Sequence, residues 1–271
     1  MTCLAIDIGN TSTTLGLMSG HRAMHVDRHP SNCDVGENIE RTIRKVVGKR
    51  DVEGVVLCSV VPAATKRWRR AVRKTLQMTP LEVRHDMSLN IAIDYPRPET
   101  IGPDRIANAC GAVAQYGAPV IVADFGTALT FDVVSAAGAY IGGVIAPGLP
   151  LMADYFSEKT ALLPHIDIRG RVHRVGRSTK GAMRIGARIG YRGMVREIVE
   201  HLRQDAREAN AALCATGGHA GWVLKDIKMP CKIDPNLTLV GLRVIWEMST
   251  RHPTPDTLET GSQLTSKRKS T

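Results

Sequence analysis

One short pattern occurs twice in this chain, each time where an apolar strand runs out. Leu4-Ala5-Ile6 leads into Asp7-Ile8-Gly9-Asn10-Thr11, and Val120-Ile121-Val122-Ala123 leads into Asp124-Phe125-Gly126-Thr127. A β-favouring stretch resumes after each turn, so each copy reads as a hairpin with a polar tip. The two aspartates stand 117 positions apart in a chain of 271 residues. That spacing fits a duplicated half of about 110 to 120 residues.

Between and after the hairpins, apolar strands alternate with helical patterns. Strands are expected at 55–60 and 213–216, with helices over 36–49, 62–78, 102–114, 151–163, 178–190 and 193–207. A last helix reaches about Met248 from an apolar stretch over 236–242. The alternation makes the fold α/β. The halves are drawn at 1–115 and 116–249, and the Ser-, Thr-, Pro- and Lys-rich remainder, 250–271, reads as a disordered basic tail.

A carboxylate at a strand end, followed at once by glycine and by asparagine or threonine, suits a magnesium nucleotide. Glycine lets the backbone approach phosphate oxygens, amides and hydroxyls donate to them, and the carboxylate reaches the metal or its waters. The competing reading of one such turn is an ordinary polar hairpin. Two copies, together with a Thr216-Gly217-Gly218 junction after another strand, favour a nucleotide. Neither G-x-x-x-x-G-K-[ST] nor G-x-G-x-x-G occurs, which disfavours P-loop and dinucleotide-binding folds.

Phosphoryl transfer to an alcohol also needs a group that takes the hydroxyl proton. Asp104 is the candidate: it follows Pro103 at a predicted helix start, where the dipole favours an ionised carboxylate. Helix capping is its alternative role. Arg105 suits a bidentate grip on a substrate carboxylate, against an ordinary surface ion pair.

Lysine and arginine number 36 against 26 aspartates and glutamates, for a formal net charge of +10. Much of the excess lies in 41–50 and 66–74, where Ile43, Val46 and Val47, and then Trp68, Ala71 and Val72, fall at helical spacing. These stretches read as solvated faces of surface helices rather than nucleic-acid sites. Six scattered cysteines, with no C-x-x-C pair, speak against a disulfide framework or zinc site. No apolar run is long enough to span a membrane, and Asp7 interrupts any secretion signal, so a cytoplasmic protein is expected.

These residues resemble type III pantothenate kinases. The likeness rests on Asp7 to Thr11 (DIGNT), Gly102 to Arg105 (G-x-D-R), Asp124 to Thr127 (DFGT), Gly142 to Leu149 (GGVIAPGL) and Thr160 to Pro164 (TALLP). It continues through Gly176-Arg177-Ser178-Thr179, Thr216-Gly217-Gly218 and Gly241-Leu242, covering the chain to about residue 249. The resemblance implies two RNase H-like halves of the actin/Hsp70/sugar-kinase kind with a nucleotide cleft between them. The activity implied is transfer of the γ-phosphate of ATP to the primary hydroxyl of pantothenate, the first step of coenzyme A synthesis. Mg²⁺ with ATP, a monovalent cation (K⁺ or NH₄⁺) and a homodimer are implied as well.

Carried over by position, Asp7, Ile8, Gly9, Asn10, Thr11, Ser12, Thr13 and Thr14 would hold ATP, with Asp7 at Mg²⁺ directly or through water. Thr127, Gly217 and Gly218 would also contact ATP, and Asp124 would bind the monovalent cation. Asp104 would be the proton acceptor. Tyr95, Gly102, Pro103, Asp104, Arg105 and Thr179 would contact pantothenate. Pro103 and Ser12 depart from the residues common in the family at those positions, and the tail lies outside the likeness. Two rival readings are an RNase H-type metal-dependent nuclease, which needs several carboxylates converging on its cations, and a catalytically silent kinase-like regulator.

Overall fold

The computed structural model describes residues 2–20, 22–33, 36–204, 210–227 and 229–251. They form two compact units: Ala118–Pro235 make one, and residues 1–117 together with the segment that begins at Asn236 make the other.

The first unit is built on the first hairpin. Strand β1 (Thr2–Ile8) pairs antiparallel with β2 (Ser12–Ser19), which pairs antiparallel with β3 (Arg22–Pro30). On its other side β1 runs parallel to β4 (Gly54–Ser59), and β4 runs parallel to β5 (Leu81–Glu82). The order is β3-β2-β1-β4-β5. Helices α1 (Gly36–Val47) and α2 (Pro62–Leu76) bury Ile39, Ile43 and Trp68 with Leu4, Ile6, Leu15 and Leu17 of the sheet. Their basic residues face outward, with Lys45, Lys66 and Arg67 exposed, as amphipathic spacing demands.

After a two-residue strand, β6 (Ala92–Ile93), the chain enters α3 (Pro103–Tyr116). This helix packs on the last one, α8 (Leu237–Arg251). Their backbones approach so closely that a Cβ on Gly111 would lie 2.6 Å from the Leu237 carbonyl oxygen, and one on Gly241 would collide with the Ala107 carbonyl. Thr238 Oγ1 donates to Asn108 Oδ1 at 2.7 Å across the same seam. The division at 116–249 drawn from sequence therefore differs from the one observed, because α8 joins the first unit. Thr250 and Arg251 finish this helix, and the tail expected beyond them lies outside the described residues.

The second unit repeats the plan. Strand β7 (Val120–Phe125) pairs antiparallel with β8 (Ala128–Val134), which pairs antiparallel with β9 (Ala139–Pro147). On its far side β7 runs parallel to β10 (Ala212–Thr216), which runs parallel to β11 (Lys232–Ile233). Five of the six strands of this sheet, in the order β9-β8-β7-β10-β11, reproduce the order and sense of the first unit's sheet. The duplication expected from the two Asp-x-Gly turns is thus a duplicated RNase H-like fold.

Helices α4 (Leu149–Lys159), α5 (Thr179–Ile185), α6 (Tyr191–Arg203) and α7 (Ala220–Leu224) complete this unit, with a π-helical turn (Gly186–Gly190) between α5 and α6. Phe125, Phe131, Tyr191, Val195 and Leu213 are among its core residues. Strand β3 is absent from the sequence expectations, since its nine residues are mostly polar or half-buried and carry no apolar run. Cys3, Cys58, Cys110 and Cys214 are buried free thiols, small apolar fillers as their spacing suggests. Among the described residues no helix is long and apolar enough to cross a membrane.

Candidate active site

Asp7 is the penultimate residue of β1, paired with Thr14 on β2 and with Cys58 on β4. Cys58 is buried and donates its thiol proton to Asp7 Oδ1 at 3.3 Å. Burial, then the negative charges of Asp7 and Asp104, push this thiol well above its ordinary pKa. It is therefore a protonated donor throughout the physiological range. The same effect puts the Asp104 carboxylate within electrostatic reach of Asp7's neighbour.

The turn after β1 closes with Gly9 N donating to Ser12 O at 3.0 Å. Asn10 and Thr11 are exposed at its tip, whereas Ile8, Thr13 and Thr14 are buried. The Ile8 side chain belongs to the core, so only its backbone is available to a ligand. Arg28 on β3 donates from Nε to Thr14 Oγ1 at 3.0 Å.

Asp104 is the second residue of α3, after Pro103, and Gly102 is the N-cap. Its Oδ1 accepts a hydrogen bond from Arg105 N at 2.9 Å. A Cβ on Gly102 would lie 2.5 Å from that same oxygen, which explains why glycine must stand two residues before the carboxylate. Asp104 is thus not the capping residue. Burial raises its pKa above the ordinary carboxylate value, against the lowering effects of the Arg105 and Asp104 amides and the Arg105 charge. The helix dipole favours the ionised carboxylate; desolvation acts in the opposite sense and wins here. The result is a stronger base, and a raised carboxyl pKa is common where a carboxylate handles protons near neutrality.

A cavity of about 300 Å³ opens beside Pro103, with Ser59, Thr65, Lys66 and Arg69 on its wall. Most of its wall is α2 (Pro62, Thr65, Lys66 and Arg69) with Glu82 and Val83 at β5, and Ser59 and Pro103 form the edge next to Cys58 and Asp104. Tyr95 is half-buried in the irregular segment before a 3₁₀ turn (Pro98–Thr100) that leads to Gly102.

In the second unit Asp124 is again the penultimate residue of its strand and lies opposite Thr216 on β10. Gly217 follows with φ +89°, and a Cβ there would sit 2.6 Å from Asp124 Oδ1. Glycine keeps the space beside that oxygen clear, which fits a cation held by Asp124. His219 N then ties the turn to Phe125 O at 3.3 Å. Gly218 and Thr127 are both exposed, each at a strand-end turn of this sheet. Thr179 is exposed at the start of α5, where Ser178 caps the helix by accepting from Gly181 N at 3.1 Å.

Asp7, Cys58 and Asp104 are therefore assembled within one unit, and Asp124, Gly217 and the Phe125 backbone within the other. Cys58 and Ser31, which contacts the first turn, are reached by no sequence motif; only strand register brings them there. Among the described residues no group of three or more His, Cys, Asp or Glu could hold a metal ion.

The family model for type III pantothenate kinase matches residues 3–201. A type III pantothenate kinase of Akkermansia muciniphila is 40% identical over 246 residues, covering 90% of this chain and 98% of its own length. Among solved structures, the (R)-2-hydroxyglutaryl-CoA dehydratase component A of Acidaminococcus fermentans aligns with a TM-score of 0.55 at 11% identity, over 92% of this chain and 99% of that one. A ROK family glucokinase from Streptomyces griseus, in complex with glucose and AMPPNP, gives 0.50 at 13% identity, over 89% and 98%. At such identities these two structures speak for the shared fold alone.

Proposed function

The chain belongs to the type III pantothenate kinase family, and from that premise we propose that it moves the γ-phosphoryl group of ATP to the primary hydroxyl of pantothenate, with Asp104 as proton acceptor. The observation that carries the role of Asp104 is its partly buried carboxylate, fixed by Arg105 N over the Gly102 backbone and raised in pKa by desolvation.

In the reaction the pantothenate oxygen attacks the γ-phosphorus in line, the bond to the ADP oxygen breaks, and the hydroxyl proton passes to Asp104. Arg105 and Tyr95 orient the acceptor, Arg105 through the pantothenate carboxylate, and Thr179 contributes a hydroxyl. The 7–14 turn holds ATP phosphates through its backbone amides and the hydroxyls of its threonines, and Thr127, Gly217 and Gly218 also contact ATP. Asp7 fits Mg²⁺, because Cys58 steadies one carboxylate oxygen, and Asp124 fits a monovalent cation beside Gly217. Bound cations would offset the charge that spreads over the transferring phosphoryl group.

A homodimer is part of this reading. Its support is the exposure of large apolar side chains on the second unit, namely Ile145 on β9, Leu151 and Tyr155 on α4, and Ile189 in the π-helical turn. A cytoplasmic location is part of the same reading.

The test is ADP release coupled to a reporter, with ATP and pantothenate, in K⁺ and then in Na⁺. The expected result is turnover that requires pantothenate and rises with K⁺. ADP release indifferent to pantothenate would reject the acceptor, and equal rates in the two salts would reject the cation site.

A further inference from the structure

Ser31 stands just past the end of β3, in a 3₁₀ turn (Ser31–Cys33), 22 residues after Gly9. The β2–β3 register, which pairs Ser12 with Pro30 and Thr13 with His29, carries it against the turn after β1. Its hydroxyl donates to the Gly9 carbonyl at 2.6 Å. A serine hydroxyl has one proton, so in the 3.1 Å contact with Thr13 Oγ1 it is Thr13 that donates. The Ser31 amide donates to the Thr11 carbonyl at 2.9 Å. One residue thus grips positions 9, 11 and 13 of the turn.

The consequence lies on the opposite side of the backbone. In a planar trans peptide the carbonyl and the following N–H point in opposite directions, and the only cis bond among the described residues is Ala118–Pro119. With the Gly9 and Thr11 carbonyls both turned to Ser31, the N–H groups of Asn10 and Ser12 leave the turn on the side away from it. We propose that Ser31 is a positioning residue for ATP, which aims these two amides by holding their carbonyls from behind.

The proposal rests on the reading of 7–14 as the phosphate turn. Ser31→Ala removes the donor to Gly9 O and the acceptor for Thr13 while keeping the backbone bond to Thr11. The expected result is a loss of about tenfold in MgADP affinity by calorimetry, equivalent to about 1.4 kcal/mol. The KM for ATP should rise by the same factor while the KM for pantothenate stays unchanged. Ser31→Thr, which keeps the hydroxyl, should restore both. A purely structural role would instead lower the active fraction and melting temperature and leave both KM values alone, and that outcome overturns the proposal. Ser31→Cys, close in size but a weak donor, gives the same comparison should the alanine variant fail to fold. Asp7→Asn, run alongside, separates the two ideas. If it also leaves MgADP affinity intact, the phosphate-turn reading is wrong; if it weakens binding and Ser31→Ala does not, only the role of Ser31 falls.

Discussion

Cys58 and Asp7 face each other on parallel strands, and the Cys58 thiol donates to Asp7 Oδ1 at 3.3 Å. In the repeated sheet the same pair of positions is held by Thr216 and Asp124, so each strand-end aspartate is met by a side chain with a proton to give. The bond in the first unit restricts the rotation of the carboxylate proposed to meet Mg²⁺. Its loss should cost about 0.5–1.5 kcal/mol, or a factor of roughly 2 to 10. Cys58→Ala should therefore raise the Mg²⁺ concentration for half-maximal rate by that factor, and Cys58→Ser should stay near the parent. An alanine variant with an unchanged Mg²⁺ titration would remove Cys58 from the site.

Asp104→Asn tests the base and the cost of burying it together. Turnover should fall by about 10²-fold or more, with MgADP binding close to the parent's. The stability sign follows from the raised pKa. A carboxyl that is harder to ionise when folded contributes stability below its unfolded pKa, and that contribution is lost as pH rises through the folded value. At neutral pH the ionised, desolvated Asp104 therefore weighs against the fold, and asparagine relieves it. Thermal melts from pH 4 to pH 8 should show the asparagine variant gaining on the parent as pH rises. A variant that steadily loses ground over that range would mean that burial is not what governs this carboxyl.

For the dimer, Ile145 (65% exposed) and Tyr155 (59% exposed) are the informative positions. A charge at either should cost a monomer nothing, since both already face solvent. If these side chains are covered by a second copy, Ile145→Glu with Tyr155→Glu should halve the mass measured by light scattering and leave the melting curve of the monomer cooperative. A parent chain that is itself monomeric at micromolar concentration ends this part of the reading.

The helix seam gives a stability prediction with an internal control. Gly241→Ala drives a methyl into the Ala107 carbonyl, and overpacking of this kind costs about 1–3 kcal/mol or more. The melting temperature should fall by roughly 2–4 °C for each kcal/mol. Gly193→Ala, in α6 with nothing within 4 Å of the new Cβ, should instead stabilise by up to about 1 kcal/mol. Equal shifts in the two variants would mean that the α3–α8 approach is looser than described.

Much of this architecture is legible in the sequence because its signals are local. An apolar run, an aspartate and a glycine lie within six residues of one another in both hairpins, so the duplication can be read without knowing which strands pair. Gly102 and Asp104 are likewise close enough for a short motif to record their steric dependence. Strand β3 escapes because an edge strand need bury little, and its sequence Arg22-Ala23-Met24-His25-Val26-Asp27 has neither an apolar run nor strict alternation. Ser31 and Cys58 escape because their contacts span 22 and 51 residues and exist only through register. The pKa direction at Asp104 escapes because helix position is visible in sequence and burial is not.

The partnership of α8 with α3 bears on how the protein is made. Residues 118–235 form one continuous stretch and can close as soon as they leave the ribosome. The unit begun at the N-terminus must wait for Leu237–Arg251 to emerge. The sheet that carries Asp7 is translated before the second unit yet is sealed after it, once α8 can pack on α3.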